Sequence, residues 1–326
     1  MVLRADGVEA GEAAHESEWE ARHLQPAHGR DDAAAGVAEG AAQDRETEGA
    51  RFASCAPVKP TPYYEADGIT LYCGDARAIV PAIIADASID LVLTDPPYGH
   101  NNNNNNDLIN RREAALGVKT AAVDTTARPI ANDGPEDAAA LVRWLFTESR
   151  RVLVPGGCCC CCCCCCGGGP DPQFARWSLW MDEALGFKQM IVWDKGGLGM
   201  GWHYRRNYET ILVGEKPGAA CKWYGGNSTA NVIRLPGIKP TVNDHPTPKP
   251  VALMAFFIRC HTAPGDLVLD PFAGAGATLV AARELGRRAI GIEIDQRWCD
   301  LAVTRLQQGV LGLSEPPAEP MELAKR

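Results

Sequence analysis

Between about residues 69 and 311, short apolar runs alternate with longer stretches whose apolar positions recur at helical spacing. The runs predict strands over residues 69–73, 89–94, 158–166, 187–193, 210–213, 267–269 and 289–292. Most of them end in an acid or a glycine. The longer stretches predict helices over 135–152, 174–185, 249–261, 278–285 and 296–307, the first of them stopped by Val154-Pro155-Gly156-Gly157. Strands alternating with helices predict an α/β fold: a mostly parallel, seven-stranded sheet covered on both faces. No internal repeat is present.

Two terminal segments lack this pattern. Residues 1–57 are rich in Ala, Gly and Glu with few large apolar residues, so they bury too little surface to offset the entropy of ordering. A disordered, acidic extension is expected there, and a loose tail over 314–326. The stretch 99–134, opening on Asn101 to Asn106, has no convincing period and exceeds what a structural loop needs, which marks it as functional or disordered.

Composition changes the picture mainly through charge. The net charge of -9 argues against a polyanionic partner until it is divided along the chain. Residues 1–50 hold 12 acids against 4 bases, whereas residues 186–240 hold 8 bases against 3 acids. Local charge sets the field a polyanion meets, so the body of the protein can bind DNA. No apolar run reaches the 18 residues of a membrane-spanning helix, and the N-terminus has no secretory pattern, so a cytoplasmic protein without membrane partners is expected.

Nine of the fourteen cysteines form one block, Cys158 to Cys166. Neighbouring strand residues point to opposite faces and cannot converge on one ion, and C-x-x-C spacing is absent from the others. A buried strand of small hydrophobes, with no metal, is the simpler expectation.

Two acid-tipped strands carry the candidate chemistry. In the first, Leu91-Val92-Leu93-Thr94 delivers Asp95-Pro96-Pro97-Tyr98 at the end where open α/β sheets bind ligands. A carboxylate, backbone carbonyls left free near two prolines, and an aromatic face suit a planar group with an exocyclic amine, such as an extruded nucleobase. In the second, Leu267-Val268-Leu269-Asp270 leads into Pro271-Phe272-Ala273-Gly274-Ala275-Gly276-Ala277-Thr278, and Glu293 ends the next strand 23 positions after Asp270. An acid placed like Glu293 takes ribose hydroxyls. The third glycine of a dinucleotide loop is missing and an acid precedes the loop, so a cationic ligand such as S-adenosylmethionine suits it better than a pyrophosphate. A plain strand–turn–helix is the bland alternative at either position. His245-Pro246-Thr247-Pro248-Lys249-Pro250, just ahead, can bring Lys249 to an anionic group.

Taken in order, Asp95-Pro96-Pro97-Tyr98, the HPTPKP element, the DPFAGAGAT loop and Gly291-Ile292-Glu293-Ile294-Asp295 resemble the amino-methylating DNA methyltransferases of the circularly permuted beta class. The resemblance spans about residues 60–311. It implies a Rossmann-like S-adenosylmethionine-dependent methyltransferase domain over 58–313. Its catalytic half would be 69–215, its short DNA-recognition segment about 216–244 and its cofactor half 245–311. It also implies Asp95, Pro96, Pro97 and Tyr98 as catalytic residues. Asp75, Lys249, Asp270, Phe272, Gly274, Gly276, Thr278 and Glu293 would contact the cofactor. Ala275 and Ala277 depart from the Ser and Thr common in the family.

The implied reaction transfers a methyl group from S-adenosylmethionine to the 6-amino group of adenine in double-stranded DNA after base flipping. The 4-amino group of cytosine is the nearest alternative, and a catalytically silent DNA-binding relative the next. Arg205 and Arg206 are the expected phosphate contacts, with Lys195 and Lys222 behind them. A homodimer is compatible with the pattern.

Overall fold

The computed structural model describes residues 60–99, 131–163, 173–197, 207–238 and 248–308. The extension expected over 1–57, most of the 99–134 stretch, Cys164 to Cys166, Arg205, Arg206, His245 to Thr247 and the tail over 314–326 lie outside them.

The described strands are β1 (Tyr64–Ala66), β2 (Ile69–Cys73), β3 (Ile89–Thr94), β4 (Leu153–Cys163), β5 (Phe187–Asp194), β6 (Tyr208–Glu215), β7 (Val232–Arg234), β8 (Leu267–Asp270) and β9 (Arg288–Glu293). They form one sheet in the order β1-β2-β9-β8-β3-β4-β6-β5-β7. The five central strands β2, β9, β8, β3 and β4 run parallel, while β6 runs against both its neighbours and β1 against β2. All seven predicted strands are present, but the described sheet has nine. The two additions, β1 and β7, are three-residue edge strands, too short to leave a period in the sequence.

Among the described residues, three helices cover each face. α1 (Ala76–Ile83), α2 (Pro135–Val152) and α3 (Gln173–Ala184) lie on one, and α4 (Val251–His261), α5 (Ala277–Glu284) and α6 (Gln296–Gln307) on the other. The cysteines make the two-sided burial explicit. Cys158, Cys160 and Cys162 pack into the α4–α6 side, while Cys159 and Cys161 face α1–α3, all of them at most 3% exposed. A strand buried on both faces has no polar side, hence a continuous run of small apolar residues.

Local chemistry sets the helix ends. Pro135 opens α2 after Gly134, acids fill its first turn, and Arg150 and Arg151 close it, in keeping with the helix dipole. The stop at Val154–Gly157 is a bulge inside β4 rather than a loop before it: Ile89 pairs with Leu153 and Leu91 with Cys158. Gly156, at φ 78°, brings its backbone against Ala220, where a Cβ would lie 2.4 Å from the carbonyl oxygen. α1 was not expected, because Pro81 inside it reads as a breaker. Asp75 nucleates it by accepting a hydrogen bond from Arg77 N.

Candidate active site

Register determines which residues meet. Leu91 pairs with Val268 and Val92 with Leu269, so the carboxyl ends of β3 and β8 lie side by side although 176 positions separate Thr94 from Asp270. From β8 the chain winds through α5 to β9 on one side, and from β3 through α2 to β4 on the other. The crevice between the two is therefore the point where the winding reverses, the usual ligand position in such sheets. Thr94 Oγ1 closes the seam, donating to Asp270 Oδ1 at 2.7 Å.

One open cleft runs over this edge, about 1060 Å³ out to its mouth. Asp75, Asp95, Pro96, Pro97, Tyr98, Lys249, Asp270, Phe272, Gly274, Thr278 and Glu293 all line it. Gly276 is the expected loop residue that does not. It caps α5 in the left-handed conformation at φ 77°, and a Cβ there would meet Ala302 Cβ of α6 at 2.9 Å. What it packs against is α6.

At the β3 end, Asp95 has a donor on each oxygen. Lys249 Nζ donates to Oδ2 at 2.6 Å and to Tyr98 Oη at 2.8 Å, and Tyr98 Oη donates to Asp95 Oδ1. Burial pushes the Asp95 carboxyl above its usual range, and Lys249 pulls against that. Lys249 is 6% exposed, and burial alone would lower it. Asp95 and Glu209 outweigh burial and hold the ammonium above the ordinary lysine range. Glu209 approaches Lys249 Nζ at 3.5 Å and accepts from Lys195 Nζ at 2.9 Å. Burial opposes its charge, yet the two lysines keep its carboxyl below the usual value. An unbroken chain of charges thus runs Lys195–Glu209–Lys249–Asp95.

Tyr98 is not the open platform expected of it. Its ring is 3% exposed and lies 6.5 Å from that of Trp177, with 26° between the planes. Asp133, fully buried, accepts from Tyr98 N at 3.1 Å and from Gly99 N at 2.9 Å. The two ends of the 99–134 stretch are therefore pinned together beneath the motif.

At the other end, Glu293 accepts from Gly274 N at 2.9 Å and from Asp295 N at 2.8 Å, and burial raises its carboxyl to about 7. Burial likewise raises Asp270 to about 6. Asp75 spends its carboxylate on α1 and on Arg77, at 2.7 Å. Five carboxylates (Asp75, Asp95, Asp270, Glu293, Asp295) line the cleft against two bases, Lys249 and Arg305. Such a donor set fits the cationic, phosphate-free S-adenosylmethionine and opposes a pyrophosphate.

Lys249 finds its anionic group in the Asp95 carboxylate, within the cleft that the glycine loop also lines. Lys222 sits at the opposite edge of the sheet, paired with Asp90 at 2.7 Å near the start of β3. Glu209, Asp133 and Trp177 were not anticipated. A glutamate heading the otherwise apolar run of β6 was the one available signal.

A family model described as DNA methylase matches residues 89–304. The chain belongs to that N6/N4 DNA methylase family. The methylase is 28% identical over 275 residues to the DNA adenine methyltransferase YhdJ of Escherichia coli K12, covering 73% of this chain and 82% of that one. A protein of Thermus thermophilus named as a DNA modification methylase superposes with a TM-score of 0.51 at 27% identity, covering 74% of this chain and 96% of that one. Its complex with S-adenosyl-L-methionine superposes at 0.50 and 25% identity over 72% and 91% of the two chains. The cytosine-N4-specific PvuII methyltransferase, at a TM-score of 0.58 and 17% identity over 78% and 91%, shows the shared fold alone. The methylase thus has the Rossmann-like fold of S-adenosylmethionine-dependent DNA methyltransferases. Among the described residues no helix is long and apolar enough to cross a membrane.

Proposed function

We propose that the chain methylates the exocyclic 6-amino group of adenine in double-stranded DNA, with S-adenosylmethionine as donor. The observation that carries this reading is the Asp95 carboxylate, set in the same cleft as the glycine loop and Glu293, with a hydrogen-bond donor already on each oxygen. Those donors mark where a substrate N–H can bind. The likeness to a relative named as an adenine methyltransferase, at 28% identity over most of both chains, supports adenine over cytosine.

In this reading Asp75, Phe272, Gly274, Thr278 and Glu293 hold the cofactor, and Asp270, bonded to Thr94 and to Phe272 N, fixes the floor beneath it. When bound, the cofactor supplies an electrophilic methyl group on a sulfonium. Asp95 and the Pro96 carbonyl accept the two amine hydrogens, which draws the nitrogen toward tetrahedral geometry and frees its lone pair. Lys249 yields Asp95 Oδ2 to the base while keeping the carboxylate ionised, and Glu209 holds Lys249 in reach. The protein's contribution is positioning and electrostatic preorganisation.

Extruding a base costs a few kcal/mol. Stacking on Tyr98 returns about 1–3 kcal/mol, and requires the ring to leave its place beside Trp177. Contacts of Arg205, Arg206 and Lys195 with phosphates supply the remainder.

The test is to incubate purified chain with unmethylated DNA and S-adenosylmethionine, digest to nucleosides and identify the product by mass. 6-Methyldeoxyadenosine is expected. 4-Methyldeoxycytidine alone, or no modified nucleoside, overturns the reading.

A further inference from the structure

A second cavity, about 870 Å³ with its open side, lies beside the middle of β4 and is walled by Cys158, Cys221, Trp223, Phe257, Cys260 and His261 among others. Cys158 stands four residues before Cys162 on β4, about 13 Å from it along the strand. Three side chains converge in this cavity from separate elements: Cys158 from β4, Cys221 from the segment after β6, and His261 from the last position of α4. The two sulfurs lie 3.1 Å apart, and one ligand atom from each of the three residues falls within 4.8 Å of the others. Cys158 is 3% and His261 6% exposed, and the buried His261 Nδ1 has no hydrogen-bond partner among the described residues. The Trp223 ring packs edge-on against the imidazole at 5.3 Å.

An orphaned buried imidazole nitrogen beside two thiols is costly as it stands. A soft divalent metal ion taken through Nδ1 would satisfy that atom and replace the thiol protons. Tetrahedral zinc, with sulfur ligands near 2.3 Å, separates its sulfurs by about 3.8 Å. The observed pair therefore has to open by only a fraction of an ångström. Two thiolates also neutralise a doubly charged ion, which makes burial tolerable.

We propose that Cys158, Cys221 and His261 form a structural zinc site that fastens the segment after β6 to the body of the methyltransferase. The only strand in the described part of that segment is the three-residue β7, and its other anchors include Lys216 Nζ on Leu153 O at 2.7 Å, Lys222 Nζ on Asp90 Oδ1 at 2.7 Å, Tyr224 N on Cys260 O at 2.8 Å and Trp193 Nε1 on Leu235 O at 2.7 Å. Binding one Zn²⁺ exchanges it for the two thiol protons, which pass to solvent. The fourth position faces the cavity and takes water. The site tethers the C-terminal end of α4, whose opposite end begins just after Lys249.

Spacing could not reveal this site, because its ligands lie 63 and 40 positions apart and the cysteine block draws attention to the wrong sulfurs.

The test uses the full chain, reduced and stripped of metal by chelator, titrated with Zn²⁺ alone. One equivalent bound with submicromolar affinity is expected, with release of protons and a rise in Tm of about 5–10 °C near saturation. Co²⁺ in its place should give the sulfur-to-metal absorption of a thiolate site. Cys221→Ser, at a half-exposed position, and His261→Gln should each lose the equivalent while retaining the unliganded Tm. Zinc uptake unchanged in both variants would assign it to the other cysteines and overturn the proposal. So would a wild-type chain that binds no zinc, or one isolated with Cys158 and Cys221 joined as a disulfide.

Discussion

Asp95 and Lys249 form a pair in which each residue sets the other's charge. Burial favours the neutral carboxyl, and the ammonium 2.6 Å away keeps it available as an acceptor. Asp95→Asn should retain cofactor binding by calorimetry while kcat falls about 10²–10³-fold, the usual loss for one preorganised electrostatic contact. Lys249→Met should move the acid limb of the pH–rate profile upward. Asp95 works ionised, so activity is lost as pH falls through its pKa, and removing the cation raises that pKa. A profile left in place would show that Lys249 does not govern Asp95.

Glu293 gives a second pH signature, with opposite signs for stability and for binding. Its folded-state carboxyl is raised to about 7 from an ordinary value of 4.5. The stability it contributes is therefore full below about 4.5 and is lost as pH rises through 7. Affinity for a cationic cofactor should run the other way, strengthening over the same interval as the carboxylate ionises. Thermal melts of the unliganded chain and calorimetric titrations at pH 6 and 8 read the two slopes, and Glu293→Gln should flatten both.

At the scale of elements, the turn before α5 shows how a binding loop depends on its helices. Gly274 faces the cleft, whereas Gly276 faces α6. Gly276→Ala combines a left-handed backbone with a Cβ 2.9 Å from Ala302 Cβ, so denaturant unfolding should report a loss of about 1–3 kcal/mol. Cofactor affinity should fall only as far as α5 shifts. The helix and strand runs were largely legible along the chain, because apolar periodicity survives wherever an element buries one stripe or two faces. β1, β7 and α1 were not. Two of them are three residues long, and the third holds a proline that its Asp75 cap and buried Ile79 and Val80 overrule. The Val154–Gly157 stop ends the helix as expected, and strand pairing runs on across it as a bulge.

For the molecule as a whole, charge is distributed rather than summed. The acidic cleft suits a cation, while the bases of residues 186–240 are partly spent internally, Lys195 on Glu209 and Lys222 on Asp90. DNA binding should still weaken steeply with salt, roughly in proportion to the phosphates contacted. Filter binding between 50 and 200 mM salt, an interval over which several phosphate contacts cost about 10³–10⁵ in affinity, measures this. A flat response would remove the basic segment from the interface.

The sequence by itself determined the alternating α/β class, the two acid-tipped strands and the residues that form the cleft. Each of these depends on local order: a period, a proline pair, a glycine loop. Only the tertiary structure decided that β3 and β8 are neighbours, that Lys249 pairs with Asp95, that Gly276 packs on α6, and that Glu209 and Asp133 stand behind the motif. The same holds for the meeting of Cys158, Cys221 and His261. These are consequences of strand register and helix placement, which bring together residues scores of positions apart and leave no spacing in the chain to mark the encounter.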